Sequence, residues 1–191
     1  GEAALADAMM MHGGFCHNAQ ALRTVMRIEC PYPEHDGLNL TWDLLEGLAK
    51  HNGPVLGPNA DAKHDGPLPY ALAEVNAQWD LHLHTHASAE AQVAAVADDV
   101  AYNHHDLHDG LRAELFSTDE LAELPILHGC FAEVDRLYPG LNYYRRRHEA
   151  LRRFFGILVA DVIDVSRANL TALNPASAQD IRDAGRMMVQ F

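Results

Sequence analysis

The chain has 191 residues, 48% of them hydrophobic, enough for one sizeable core and unlike a disordered or fibrous protein. Fourteen Lys and Arg against 27 Asp and Glu leave a formal charge of −13, which argues against nonspecific nucleic-acid binding by the surface at large. No apolar run reaches membrane-spanning length and no charged-then-apolar leader occurs, so one domain over residues 1–191, cytoplasmic and off the membrane, is expected.

Glu2 to Met11 reads as a helix closed by Gly13 and Gly14, and Asn18 to Arg27 as a second with an apolar stripe of Ala19, Leu22 and Met26. Pro31 and Pro33 then force a loop. Thr41 can cap a third helix that ends near Lys50, which puts that cation at a helix end beside an open loop. Residues 53–69 hold four prolines and three glycines, suited to a mobile surface loop or lid. Leu81 to His86 alternates like a strand, the one such segment in an otherwise all-α pattern. Ser88 opens a long helix that Gly110 is expected to close, and Ser117 with Glu120 forms a capping box for a short helix that Pro125 stops. The longest helix runs from about Asn142 to Leu173, with Leu151, Phe155, Leu158, Val162 and Val165 as a core seam. Ser177 caps a last helix to Phe191. Cys16, Cys30 and Cys130 lack paired spacing and read as buried thiols.

Within the long helix, Asp98, Tyr102 and Asp106 recur every four residues and share one face. Two carboxylates and a phenol in a row have to be hydrated, paired or bound to something, and such a row can hold a metal and a sugar. Five arginines lie between Arg145 and Arg153, a solvated helix face or a phosphate-binding surface in equal measure. The dipeptides His35-Asp36, His64-Asp65 and His105-Asp106 could be mistaken for a metal-binding pair but are discounted by their loop settings or their order. His82, His84 and His86 could chelate a metal from one strand face, although a polar exposed edge is favoured.

Three segments, 14–23 (GFCHNAQALR), 37–53 (GLNLTWDLLEGLAKHNG) and 90–102 (EAQVAAVADDVAY), resemble the deoxyguanosine triphosphate triphosphohydrolase-like proteins of the HD superfamily. The likeness continues through 109–112 (DGLR), 152–163 (RRFFGILVADVI) and 180–185 (DIRDAG), nearly the whole chain. It implies an HD-domain-like helical bundle that hydrolyses a deoxynucleoside triphosphate to deoxynucleoside and triphosphate, using a divalent metal (magnesium, manganese, iron or cobalt) at the α-phosphate. By the same likeness Asp98 is a metal ligand, Tyr102 packs on the deoxyribose, Asp106 lies near sugar and phosphates, and Asn18 and Lys50 contact the phosphates. Gly1-Glu2 looks like the end of the family's Gly-His-x-Gly-Glu segment, which makes Glu2 an aid to proton transfer. The family's remaining metal ligands, its His-Asp pair and its catalytic His match nothing here and are expected upstream of Gly1. The bundle is then incomplete at its N-terminal side, and the chain alone binds metal poorly and turns over little substrate. The likeness also implies a homo-oligomer, with nucleotide or single-stranded DNA as possible effectors. A noncatalytic nucleotide-binding or regulatory module is the alternative reading.

Overall fold

The structure, a computed structural model, describes residues 1–60 and 68–191. Among the described residues all regular structure is helical, as the all-α reading expects. The α-helices are α1 (Glu2–Ala8), α2 (His17–Arg23), α3 (Trp42–Lys50), α4 (Tyr70–Gln78), α5 (Ala89–Arg112), α6 (Thr118–Leu121), α7 (Pro125–Leu137), α8 (Tyr143–Leu173) and α9 (Ala178–Arg182). The chain divides into two compact units, one of residues Gly1–Ala95 with Leu173–Met188, the other of Val96–Ala172 with Val189–Phe191.

In the first unit α2 packs against α3 and α4, and their apolar stripes supply the core. Leu22, Ala49, Leu72 and Leu81 are fully buried there, with Leu45, Val55, Val75 and Leu83 around them. Gly13, at a φ of 95°, ends the short 3-10 turn that follows α1, the left-handed position a closing glycine serves. A π-helical turn, Thr24–Ile28, extends α2 and closes with the Glu29 amide donating to the Thr24 carbonyl. Leu81 to His86 is a turn rather than a strand. His82 takes a φ of 50°, while Leu81 and Leu83 are drawn into the core and His86 is buried. The three imidazoles therefore share no strand face. Part of the loop over 53–69, with His64-Asp65 inside it, lies outside the described residues.

In the second unit Leu111, Leu121, Leu127, Phe131, Val134 and Leu151 form the core. Gly110 does not close α5. The helix runs two residues further, and Glu114, at a φ of 57°, takes the left-handed position while the Leu115 amide donates back to the Gly110 carbonyl. What position 110 requires is space: a Cβ there would lie 2.4 Å from the Phe116 ring. The capping box of Ser117 and Glu120 forms as read. Pro125 opens α7 at its first position, a role its fixed φ and missing N–H favour as much as stopping a helix.

Other expectations need adjustment. Along α8 Leu151 is fully buried, whereas Phe155, Leu158, Val162 and Val165 are half-buried. Ser177 caps α9 through a second capping box with Asp180, but the helix ends at Arg182 and not at Phe191. Cys16 and Cys130 are buried; Cys30 is exposed, its thiol beside the Arg27 carbonyl.

Candidate functional site

The expected site residues fall in both units, and each unit is described by itself. In the first, the starts of α1 and α2 and the end of α3 converge. Glu2, in the first turn of α1, accepts from the His17 amide at 2.9 Å and lies 2.8 Å from the His17 Nδ1. The His17 ring meets His51 edge-on at 5.7 Å between centroids. Asn18 is buried on α2, and its Nδ2 donates to the Ala49 carbonyl at 3.2 Å, while its Oδ1 has no partner among the described residues. Glu2, Asn18 and Lys50 are thus brought close through His17 and Ala49. Sequence reasoning passed over His17 and His51, although they adjoin Asn18 and Lys50 in the chain.

Lys50 is not an open cation. Its side chain is fully buried, with Nζ 2.8 Å from Glu46 Oε1, 2.9 Å from Thr85 Oγ1 and 3.1 Å from the His82 carbonyl. Three acceptors use up the three protons of an ammonium. Arg182 grips the same Glu46 at 2.8 and 2.9 Å, adds Asp43 at 3.0 Å, and stacks over Trp42. One turn of α3 places Glu46 under Lys50, while Arg182 arrives from α9, far along the chain, where local reading could not find it. Burial pushes the Lys50 ammonium below its ordinary value against the pull of Glu46. The Glu46 carboxylate raises Arg182. His86 is held low by burial and by the Lys50 charge, despite a Gly185 backbone contact that favours its protonated form.

In the second unit Asp98, Tyr102 and Asp106 lie along one strip of α5. Tyr102 is 66% exposed, both carboxylates are exposed, and none of the three side chains has a hydrogen bond or ion pair with a described residue. Tyr102 is therefore not a core tyrosine, and Asp98 is not tied to a guanidinium. Among the described residues no group of three or more His, Cys, Asp or Glu is placed to hold a metal. Asp98 can serve as one ligand but does not make a site. Of the arginine cluster on α8, Arg146 is held by Asp135 at 2.6 and 2.8 Å, Arg152 by Glu149, and Arg153 by Glu133 at 3.0 Å.

No family model matches the chain. The deoxyguanosinetriphosphate triphosphohydrolase-like protein of Roseobacter denitrificans is 66% identical over all 191 residues, which are 47% of its own length. Its counterpart in Jannaschia sp. is also 66% identical over the whole chain, 46% of its length. The chain is similar from end to end to deoxyguanosinetriphosphate triphosphohydrolase-like proteins. A more distant one, from Rhizobium leguminosarum, retains 50% identity over the same span. The resemblance carried by the separate motifs thus extends over every residue between them. The chain spans about half the length of the curated relatives it matches. Among the described residues no helix is long and apolar enough to cross a membrane.

Proposed function

We propose that this chain is the part of a metal-dependent deoxynucleoside triphosphate triphosphohydrolase that carries Asp98, Tyr102 and Asp106, the other metal ligands belonging to the remainder of a protein of the relatives' length. The supporting observation is the strip on α5: an exposed aromatic face between two carboxylates, with none of the three committed to another described side chain. Side chains so placed are either solvated or kept for a ligand, and the end-to-end similarity to triphosphohydrolase-like proteins favours the ligand. A divalent ion at Asp98 would polarise a phosphoryl oxygen and lower the pKa of bound water. Tyr102 offers a ring face that fits the 2′-deoxy carbon and crowds a ribose hydroxyl. Asp106, one turn on, accepts from a sugar hydroxyl.

In the first unit Asn18 and Lys50 are the proposed phosphate contacts. Lys50 fills that role by giving up Thr85 or the His82 carbonyl for a phosphate oxygen while Glu46 remains its counter-charge. Glu2, with its carboxylate on His17, can steer a proton through that imidazole. Homo-oligomer formation and response to a nucleotide or single-stranded DNA belong to the same reading.

Comparing dGTP with GTP in the full-length protein tests it. Wild type should favour dGTP by about a hundredfold in kcat/KM, and Tyr102→Ala should reduce that preference to less than about tenfold, since a crowded hydroxyl acts through contact of about 1–3 kcal/mol. Equal turnover of both nucleotides by the wild type would remove the sugar-packing role and the substrate class with it.

A further inference from the structure

A cavity of about 690 Å³ lies in the second unit between α5 and α8. It is large enough for a small organic or inorganic ligand. His104, His105 and His108 enter it from α5, and Arg145, His148 and Arg152 from α8. His104 and His108 are about 200° and 240° round the helix from Tyr102, so the imidazoles at the base of the cavity face away from the Asp98 strip, while His105, about 60° from Tyr102, stands at the edge between the two. The imidazoles are packed together: 4.8 Å separates the ring centroids of His104 and His108, and 5.3 Å those of His108 and His148. His104 rests on Phe155, and its buried Nδ1 has no partner among the described residues.

Charge decides what such a cavity takes. Glu149, the one carboxylate among its lining residues, is gripped by Arg152 at 2.7 and 3.0 Å and by Arg153 at 3.2 Å. Arg145 makes no side-chain hydrogen bond or ion pair with a described residue and is exposed. Arg147, whose guanidinium stacks on Tyr143 and Tyr144, adds positive potential at His108. Burial, and then the neighbouring imidazoles, hold His104 and His108 below the usual histidine range, and a bound anion would offset both effects. A metal cation would meet guanidinium groups, and among the described residues no metal-holding group is formed. An oxyanion would meet the Arg145 guanidinium and the imidazole edges, beside an apolar wall of Ala101, Leu141 and Phe155.

We propose that this cavity binds a phosphate-class oxyanion, with Arg145 and the imidazoles of His105 and His148 as its donors. In a chain of formal charge −13 it is a local basic site for a ligand that the rest of the surface repels. Phosphate groups could reach it on a nucleotide or as free oligophosphate. The proposal is independent of the Asp98 strip, because it requires neither metal nor turnover.

Calorimetric titration of the protein with inorganic triphosphate, without divalent metal, tests it. Saturable binding is expected, at least about fivefold tighter at about pH 6 than at about pH 8, because the bound anion favours protonated imidazole. Arg145→Gln and His148→Gln, both at exposed positions, should each weaken it at least about tenfold, while Arg136→Gln on α7 leaves it unchanged. If dGTP competes at equal affinity, the phosphates alone are recognised; if it binds tighter in a Tyr102→Ala background, the nucleoside is read as well. Either result supports the oxyanion site. No saturable binding, equal loss in the Arg136 variant, or tighter binding at the higher pH together with displacement by zinc would overturn it.

Discussion

Glu46→Ala should lower the unfolding free energy by about 3–5 kcal/mol, the cost of removing one partner from a buried ion pair. Glu46 lies between two cations, Lys50 with no exposed surface and Arg182 with 7%. Without it, Lys50 keeps only the Thr85 hydroxyl and the His82 carbonyl, and Arg182 keeps Asp43. Lys50 already titrates below its ordinary value because of burial, so the variant should relieve the strain by shedding the proton. The sign follows from proton counting. A folded-state pKa below the unfolded one means that the unfolded chain binds more protons in that window, so stability rises with pH there. The deficit of Glu46→Ala should accordingly shrink as pH climbs toward about 10. Replacing the pair, Glu46→Leu with Lys50→Met, should cost less than the single change, since no uncompensated lysine remains. Urea unfolding at several pH values measures all three. A deficit under about 1 kcal/mol for Glu46→Ala would mean that the network is open to water.

Asp98→Asn separates a ligand from a structural carboxylate. The side chain is exposed and has no partner among the described residues, so the substitution should leave stability within about 0.5 kcal/mol. In the full-length protein, the same change should cut turnover by about a thousandfold. Losing a metal's charge stabilisation is worth several kcal/mol, at 1.36 kcal/mol per factor of ten. Bound metal, measured by elemental analysis after dialysis, should fall with it. Glu90→Gln, in the exposed first turn of the same helix, serves as control and should change neither. A variant that lost stability but kept turnover would show Asp98 to be structural.

The sequence was most legible where structure is local. The capping residues Ser117 and Ser177, the start of α5 behind Ser88, and the start of α8 behind Asn142 all follow from side chains within one turn of the element they mark. The four-residue spacing of Asp98, Tyr102 and Asp106 likewise put them on one strip. Pro125 was ambiguous because proline both ends and begins helices, and α7 was lost with it. α4 follows Pro69, an N-cap without a side-chain hydrogen bond, and buries only Leu72 and Val75, too little pattern to stand out. Gly110 reads as a stop unless Phe116 is known to fold back onto it. The burial of Lys50 depended on Thr85 and the His82 carbonyl, well outside its own helix, and on Arg182 sharing Glu46, none of which a local pattern shows. The histidine-lined cavity went unread in the sequence, because His104 and His108 share one face of α5 but His148 joins them only through tertiary packing.

The most direct test of the triphosphohydrolase reading is the identity of the phosphorus product when the full-length protein, with divalent metal, consumes dGTP, followed by 31P NMR. One inorganic triphosphate for each deoxyguanosine released is the expected result. Pyrophosphate with dGMP, or inorganic phosphate with dGDP, would contradict it.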